Sequence, residues 1–116
     1  MKKTKMLKKN YEFSNVFSKG NYFSGEAIEA FILNNFKNNN YLGLAISSKA
    51  GHAVQRNRLK RLLRENYYNF EEQIISGLSI VFLLKKKSNI NEVDFYQVKK
   101  DMKKIFEKSK SFKNNN

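Results

Sequence analysis

Gly51-His-Ala-Val-Gln-Arg-Asn-Arg-Leu-Lys-Arg-Leu-Leu-Arg-Glu65 sets five cations, Arg56, Arg58, Lys60, Arg61 and Arg64, into nine residues. The cations do not interrupt a helical apolar pattern. Leu59, Leu62, Leu63 and Phe70 recur at steps that line one face of a helix. Asn57, Arg61 and Arg64 point the other way, with Arg58 and Lys60 beside them. A helix that packs on a core with one side and presents guanidinium groups on the other suits a phosphate backbone. Only Glu65 lies close enough in sequence to neutralise the array.

Strand patterns flank this helix. Residues 41–47 alternate, with Leu42, Leu44 and Ile46 inward and Tyr41, Gly43 and Ala45 outward. The outward side is small at Gly43 and Ala45, which predicts a shallow groove there. Residues 78–84, Leu-Ser-Ile-Val-Phe-Leu-Leu, form an almost continuous apolar run, as in a strand buried on both faces. Strand, basic helix and strand form a parallel unit, and general topology favours a right-handed crossover.

Upstream, residues 27–34 alternate as a strand, with Ile28, Ala30 and Ile32 on one face and Glu29, Phe31 and Leu33 on the other. Phe31 shares its face with a carboxylate and so faces solvent. Lys37–Asn40 reads as a hairpin connection to the next strand. Asn10 is placed to cap a short helix that carries Phe13, Val16 and Phe17 and ends at Gly20. Residues 1–9 read as a basic arm. A last helix from about Asn91 buries Phe95, Val98, Met102, Ile105 and Phe106 and shows a lysine-rich side. Residues from about 111 to 116 read as a disordered tail. The order of helix, strands, helix, strand, helix predicts an α+β fold, a small mixed sheet with helices packed on it.

Composition narrows the chemistry. At 116 residues the chain forms one domain, residues 1–116. A formal charge of +13 calls for a polyanionic partner. There is no cysteine, so thiolate metal sites, disulfides and a cysteine nucleophile are excluded. The single histidine, His52, stands at the start of the basic helix and reads as a turn or capping residue, not a zinc ligand. The ten acidic residues are scattered, with no carboxylate cluster for two-metal hydrolysis. No phosphate loop or nucleophile motif is present. The expected location is the cytoplasm, with no membrane and no DNA partner. The basic N-terminus lacks the apolar segment of a secretory signal.

The Arg56-Asn57-Arg58 core and its amphipathic helix resemble the signature of the bacterial ribonuclease P protein component. Leu7-Lys-Lys-Asn-Tyr-Glu-Phe-Ser-Asn-Val-Phe17 is similar to that family's first helix, with its two spaced phenylalanines. Tyr41-Leu-Gly-Leu-Ala-Ile-Ser-Ser-Lys49 is similar to the strand that enters the signature. The resemblance implies an αβββαβα order, similar to the second domain of ribosomal protein S5, with a left-handed β-α-β crossover in place of the usual hand. It implies an RNA-binding subunit of a ribonucleoprotein endonuclease. Its partners are a catalytic RNA and precursor tRNA, whose 5′ leader is removed by hydrolysis. The catalytic centre lies in the RNA, no catalytic residue is expected in the protein, and the protein alone is inactive. Mg2+ is required through the RNA, with no protein ligand.

By position, the resemblance implies a leader cleft at Phe13, Phe17 and Phe31, with Arg56, Lys60 and Arg64 along its basic edge. Arg58 and Arg61 fall to the catalytic RNA, Asn57 belongs to the same helix face, and Lys8, Lys9 and Lys49 are auxiliary. Where the family usually has two lysines after the strand, this chain has Ser48 and Lys49. The residue types suit the task, since aromatic faces stack on any base while cations follow the backbone. The alternative reading is a structural ribosomal or generic RNA-binding protein without a role in cleavage.

Overall fold

The computed structural model describes residues 4–114. Its elements are β1 (Thr4–Met6), α1 (Asn10–Lys19), β2 (Asn21–Ser24), β3 (Ile28–Asn34), β4 (Asn40–Leu44), α2 (Ala53–Phe70), β5 (Leu78–Leu84) and α3 (Phe95–Lys108). The strands form one mixed sheet in the order β1-β4-β5-β3-β2. β5 runs parallel to β4 and antiparallel to β3. The expected parallel strand–helix–strand unit is therefore present as β4–α2–β5.

The position of β5 follows from its sequence. Leu78 to Phe82 are all buried, so the strand needs neighbours on both edges and cover on both faces. It inserts between β3 and β4 and displaces the expected hairpin: residues 35–39 link two strands that are not hydrogen-bonded to each other. Across the sheet, Ile32, Ile80 and Leu42 stand in register, as do Phe31, Val81 and Gly43 on the opposite face. The first face is covered by Leu59, Leu62, Leu63, Tyr67 and Phe70 of α2 and by Val98, Met102, Ile105 and Phe106 of α3, which together form the main core. α1 packs against β3 and β5 on the second face, with Val16 buried beneath it.

Both ends of the described chain are tied down more firmly than the sequence suggests. Within the predicted basic arm, Thr4–Met6 pairs in parallel with β4. Thr4 is buried, with its hydroxyl 2.7 Å from the Tyr67 hydroxyl and donating to the Glu71 carboxylate. At the other end Ser111 is buried and Phe112 packs on Phe70 and Phe106. Ile75 N–H donates to Ser111 O and Lys113 N–H to Gln73 O, both at 2.8 Å. Residues 111–113 thus leave the predicted disordered tail, because an aromatic at 112 completes the core. Residues 1–3 of the arm and 115–116 of the tail lie outside the described residues.

Candidate nucleic-acid interface

The α2 helix begins just beyond the ends of β4 and β5. Its start is fixed by the backbone N–H of His52, which donates to Gln55 Oε1 at 2.7 Å. His52 thus occupies the N-cap position, but it caps through its neighbour's amide and its own ring is exposed. Burial of Leu59, Leu62, Leu63, Tyr67 and Phe70 fixes the helix rotation, which leaves Asn57, Arg61 and Arg64 in solvent. Arg58 and Lys60 are half-buried at the flanks, where their stems lie on the protein. Arg56 has a second duty. Its guanidinium donates to Gly51 O at 2.8 Å and Ser48 O at 3.2 Å, bracing the turn that joins β4 to α2. Lys49 sits exposed on that turn.

Among the described residues, the only carboxylate within ion-pair reach of the array is Glu65, 3.9 Å from Arg61 and exposed. Such a pair contributes little in water. The array therefore stays available to a polyanion.

The aromatic residues assemble on the other face of the sheet. Phe13 lies directly on Gly43: a Cβ at position 43 would stand 2.5 Å from the Phe13 ring. The predicted groove at Gly43 is filled by that ring, and Gly43 is there because any side chain would expel it. One turn later, Phe17 is 37% exposed and meets Phe31 edge-on, with ring centres 5.3 Å apart. Tyr22, opposite Phe31 on β2, adds a third ring at 5.4 Å. Its hydroxyl donates to the Glu29 carboxylate, and that bond raises the Tyr22 pKa above its usual value.

Phe17 and Phe31 are thus brought together, while Phe13 is half-buried packing against Gly43. Tyr22 was missed. Its signal was the short alternation at Asn21–Ser24, too brief to separate from a turn. Arg56, Lys60 and Arg64 are not brought beside these rings. They belong to a helix on the opposite sheet face. Lys8 and Lys9 lie at the start of α1, where their backbone N–H groups donate to Glu12. Among the described residues, no three His, Cys, Asp or Glu side chains come together as a metal-ligand set.

The model of the Ribonuclease P family matches residues 1–110. The chain is 34% identical to the ribonuclease P protein component of Natranaerobius thermophilus over 109 residues, covering 94% of this chain and 93% of that protein. It is also 34% identical to the ribonuclease P protein component of Bacillus cereus over 110 residues, covering 94% of each. Among solved structures, it is similar to the Staphylococcus aureus RNase P protein, with a TM-score of 0.81 and 25% identity over 93% of this chain and 97% of that one. It is similar as well to the Thermotoga maritima RNase P protein, with a TM-score of 0.75 and 28% identity over 84% of this chain and 91% of that one.

Proposed function

The chain belongs to the ribonuclease P protein component family, and on that premise we propose how it serves the endoribonuclease complex in which such a component takes part. In that role it works in tRNA processing, which sets aside the structural ribosomal reading. Its partners are an RNA subunit and precursor tRNA. The RNA subunit holds the catalytic centre and the Mg2+ ions, and the protein supplies binding and orientation. The cytoplasm is the compartment of this work. No helix among the described residues is long and apolar enough to cross a membrane.

The observation that carries the reading is the part-open cluster of Phe17, Phe31 and Tyr22, neighbouring rings 5.3 and 5.4 Å apart, on a chain of charge +13. Rings left open to solvent accept unpaired bases of any sequence, which is what a variable leader requires. The leader lies over these rings and runs toward the rim at the end of β4, where Lys49 and the Arg56-braced turn meet its phosphates. Arg58, Lys60, Arg61 and Arg64, with Asn57, face the RNA subunit from the outer side of α2. Lys8 and Lys9 add attraction near the start of α1.

Phe17→Ala and Phe31→Ala test this assignment. In the assembled complex each should weaken precursor tRNA relative to mature tRNA by about 1–3 kcal/mol. Equal weakening of both RNAs would make these rings structural and remove the leader from this face.

A further inference from the structure

The other flank of α1 borders a second groove. It encloses about 650 Å³ between Tyr11 of α1, Leu33 and Tyr41 of the sheet, and Phe36 and Lys37 of the β3–β4 connection. It shares Tyr11 and Tyr41 with an adjoining depression of about 550 Å³ that is lined by Lys5, Lys8 and Lys9. Tyr11 is on the opposite side of α1 from Phe13 and Phe17, so the helix stands between this groove and the Phe17–Phe31 cluster.

Phe36 makes this groove unusual. Its side chain is 91% exposed, and its backbone sits at φ 58°, a left-handed conformation disfavoured for residues other than glycine. The turn is held there by side chains. Phe36 N–H donates to Asn34 Oδ1 at 3.0 Å and Lys37 N–H to Asn35 Oδ1 at 2.7 Å. Asn35 is in turn fixed through Nδ2 to Ser79 Oγ at 3.1 Å and through its N–H to Gly77 O at 2.8 Å. A strained, braced turn that holds a bare phenyl ring in water points to a contact made by that ring.

The charge around the ring identifies the partner. Lys37 Nζ lies 5.4 Å above the Tyr41 ring and Lys9 Nζ 5.8 Å above the Tyr11 ring. The one acid of the groove, Glu12, already receives the N–H groups of Lys8 and Lys9. Aromatic rings, Phe36 and Tyr11 exposed and Tyr41 partly so, interleaved with ammonium groups suit a single strand of nucleic acid: stacked bases with phosphates beside them.

We propose that this groove holds an unpaired segment of the RNA subunit, independent of base sequence. Phe36, Tyr11 and Tyr41 offer stacking faces, and Lys9 and Lys37 take the phosphates. A leader lying over Phe17 and Phe31 would have to cross α1 to reach it, so the two grooves take different strands. The proposal rests on the reading of this chain as a partner of an RNA subunit.

Phe36→Gly removes the ring and relieves the backbone strain together. The full-length variant should melt no lower than the parent, yet bind the RNA subunit about tenfold more weakly. Lys37→Ala should reduce the salt dependence of that binding by roughly one phosphate contact. At saturating protein, both variants should keep the parent's preference for precursor over mature tRNA. Parent-like RNA-subunit binding and salt dependence in both variants would overturn the proposal. So would a loss seen only with precursor tRNA, which would put the leader in this groove. Arg61→Ala serves as the control. If it weakens RNA-subunit binding while Phe36→Gly and Lys37→Ala do not, the RNA-subunit reading stands and this groove falls. A parent protein that fails to bind the RNA subunit overturns both.

Discussion

Asp101 stands among Lys99, Lys100, Lys103 and Lys104, yet its carboxylate is almost fully buried. It accepts the backbone N–H groups of Glu26, Ala27 and Ile28 at 2.8–3.0 Å and the Gln97 amide at 2.9 Å. It thereby clamps the entry of β3 to α3, and Gly25 leaves room for it: a Cβ there would collide with the Asp101 carboxylate. Truncation leaves the buried N–H groups of Ala27 and Ile28, and the part-buried one of Glu26, without a partner. Asp101→Ala should lower stability by about 3 kcal/mol in chemical denaturation, and a loss under about 1 kcal/mol would contradict the clamp. The sequence did carry a signal, because Asp101 is three residues after Val98, on the buried face. Phe31 was legible for the same kind of reason, since the strand period assigns its face; the helical period groups Phe17 with Phe13 and Val16, and only the family resemblance set it in a cleft. The fate of Phe13 was not legible, because only the sheet register reveals that Gly43 lies under its ring.

At the scale of elements, α1 is capped by Glu12 and not by Asn10. One Glu12 oxygen accepts the N–H groups of Lys8 at 3.0 Å and Lys9 at 2.8 Å, which favours the carboxylate at the positive end of the helix. The Lys9 bond, followed by that of Lys8, holds the Glu12 pKa below its ordinary 4.5. A carboxyl lowered by folding contributes stability above its unfolded value and loses it as pH falls through the folded one. An NMR titration of Glu12 should give a midpoint below 4.5, with fraying at the start of α1 on its acid side. A midpoint at or above 4.5 would remove the cap.

The α2 helix was readable almost to the residue, since its apolar and cationic faces are both continuous. Arg58→Ala and Arg61→Ala should each reduce the log–log salt slope of RNA-subunit binding by about 0.7–0.9. An unchanged slope would remove these residues from the phosphate contacts. The β3–β4 connection was misread because turn chemistry reports a reversal of the chain. It does not report whether a strand from forty residues downstream enters between the two arms.

On the scale of the molecule, the sheet divides the labour. One face carries the main core under α2 and α3, and the other stays partly open around α1. That division lets a chain of 116 residues keep a continuous core while it exposes aromatic rings and bears a charge of +13. The α+β class and the parallel β4–α2–β5 unit were legible because β5 is apolar on both faces. The placement of β1 at the edge, and of Ser111–Lys113 against the core, was not. Those segments are short, and tertiary contacts from Tyr67, Glu71 and Phe70 hold them in place.

In the proposed role this chain assists an RNA catalyst and does not cleave by itself. The direct test is precursor-tRNA cleavage at low Mg2+, with the cognate RNA subunit alone, with the protein alone and with both together. Cut leader is expected at the mature 5′ junction only when both are present. Equal cleavage with and without the protein, or cleavage by the nuclease-free protein alone, would contradict it.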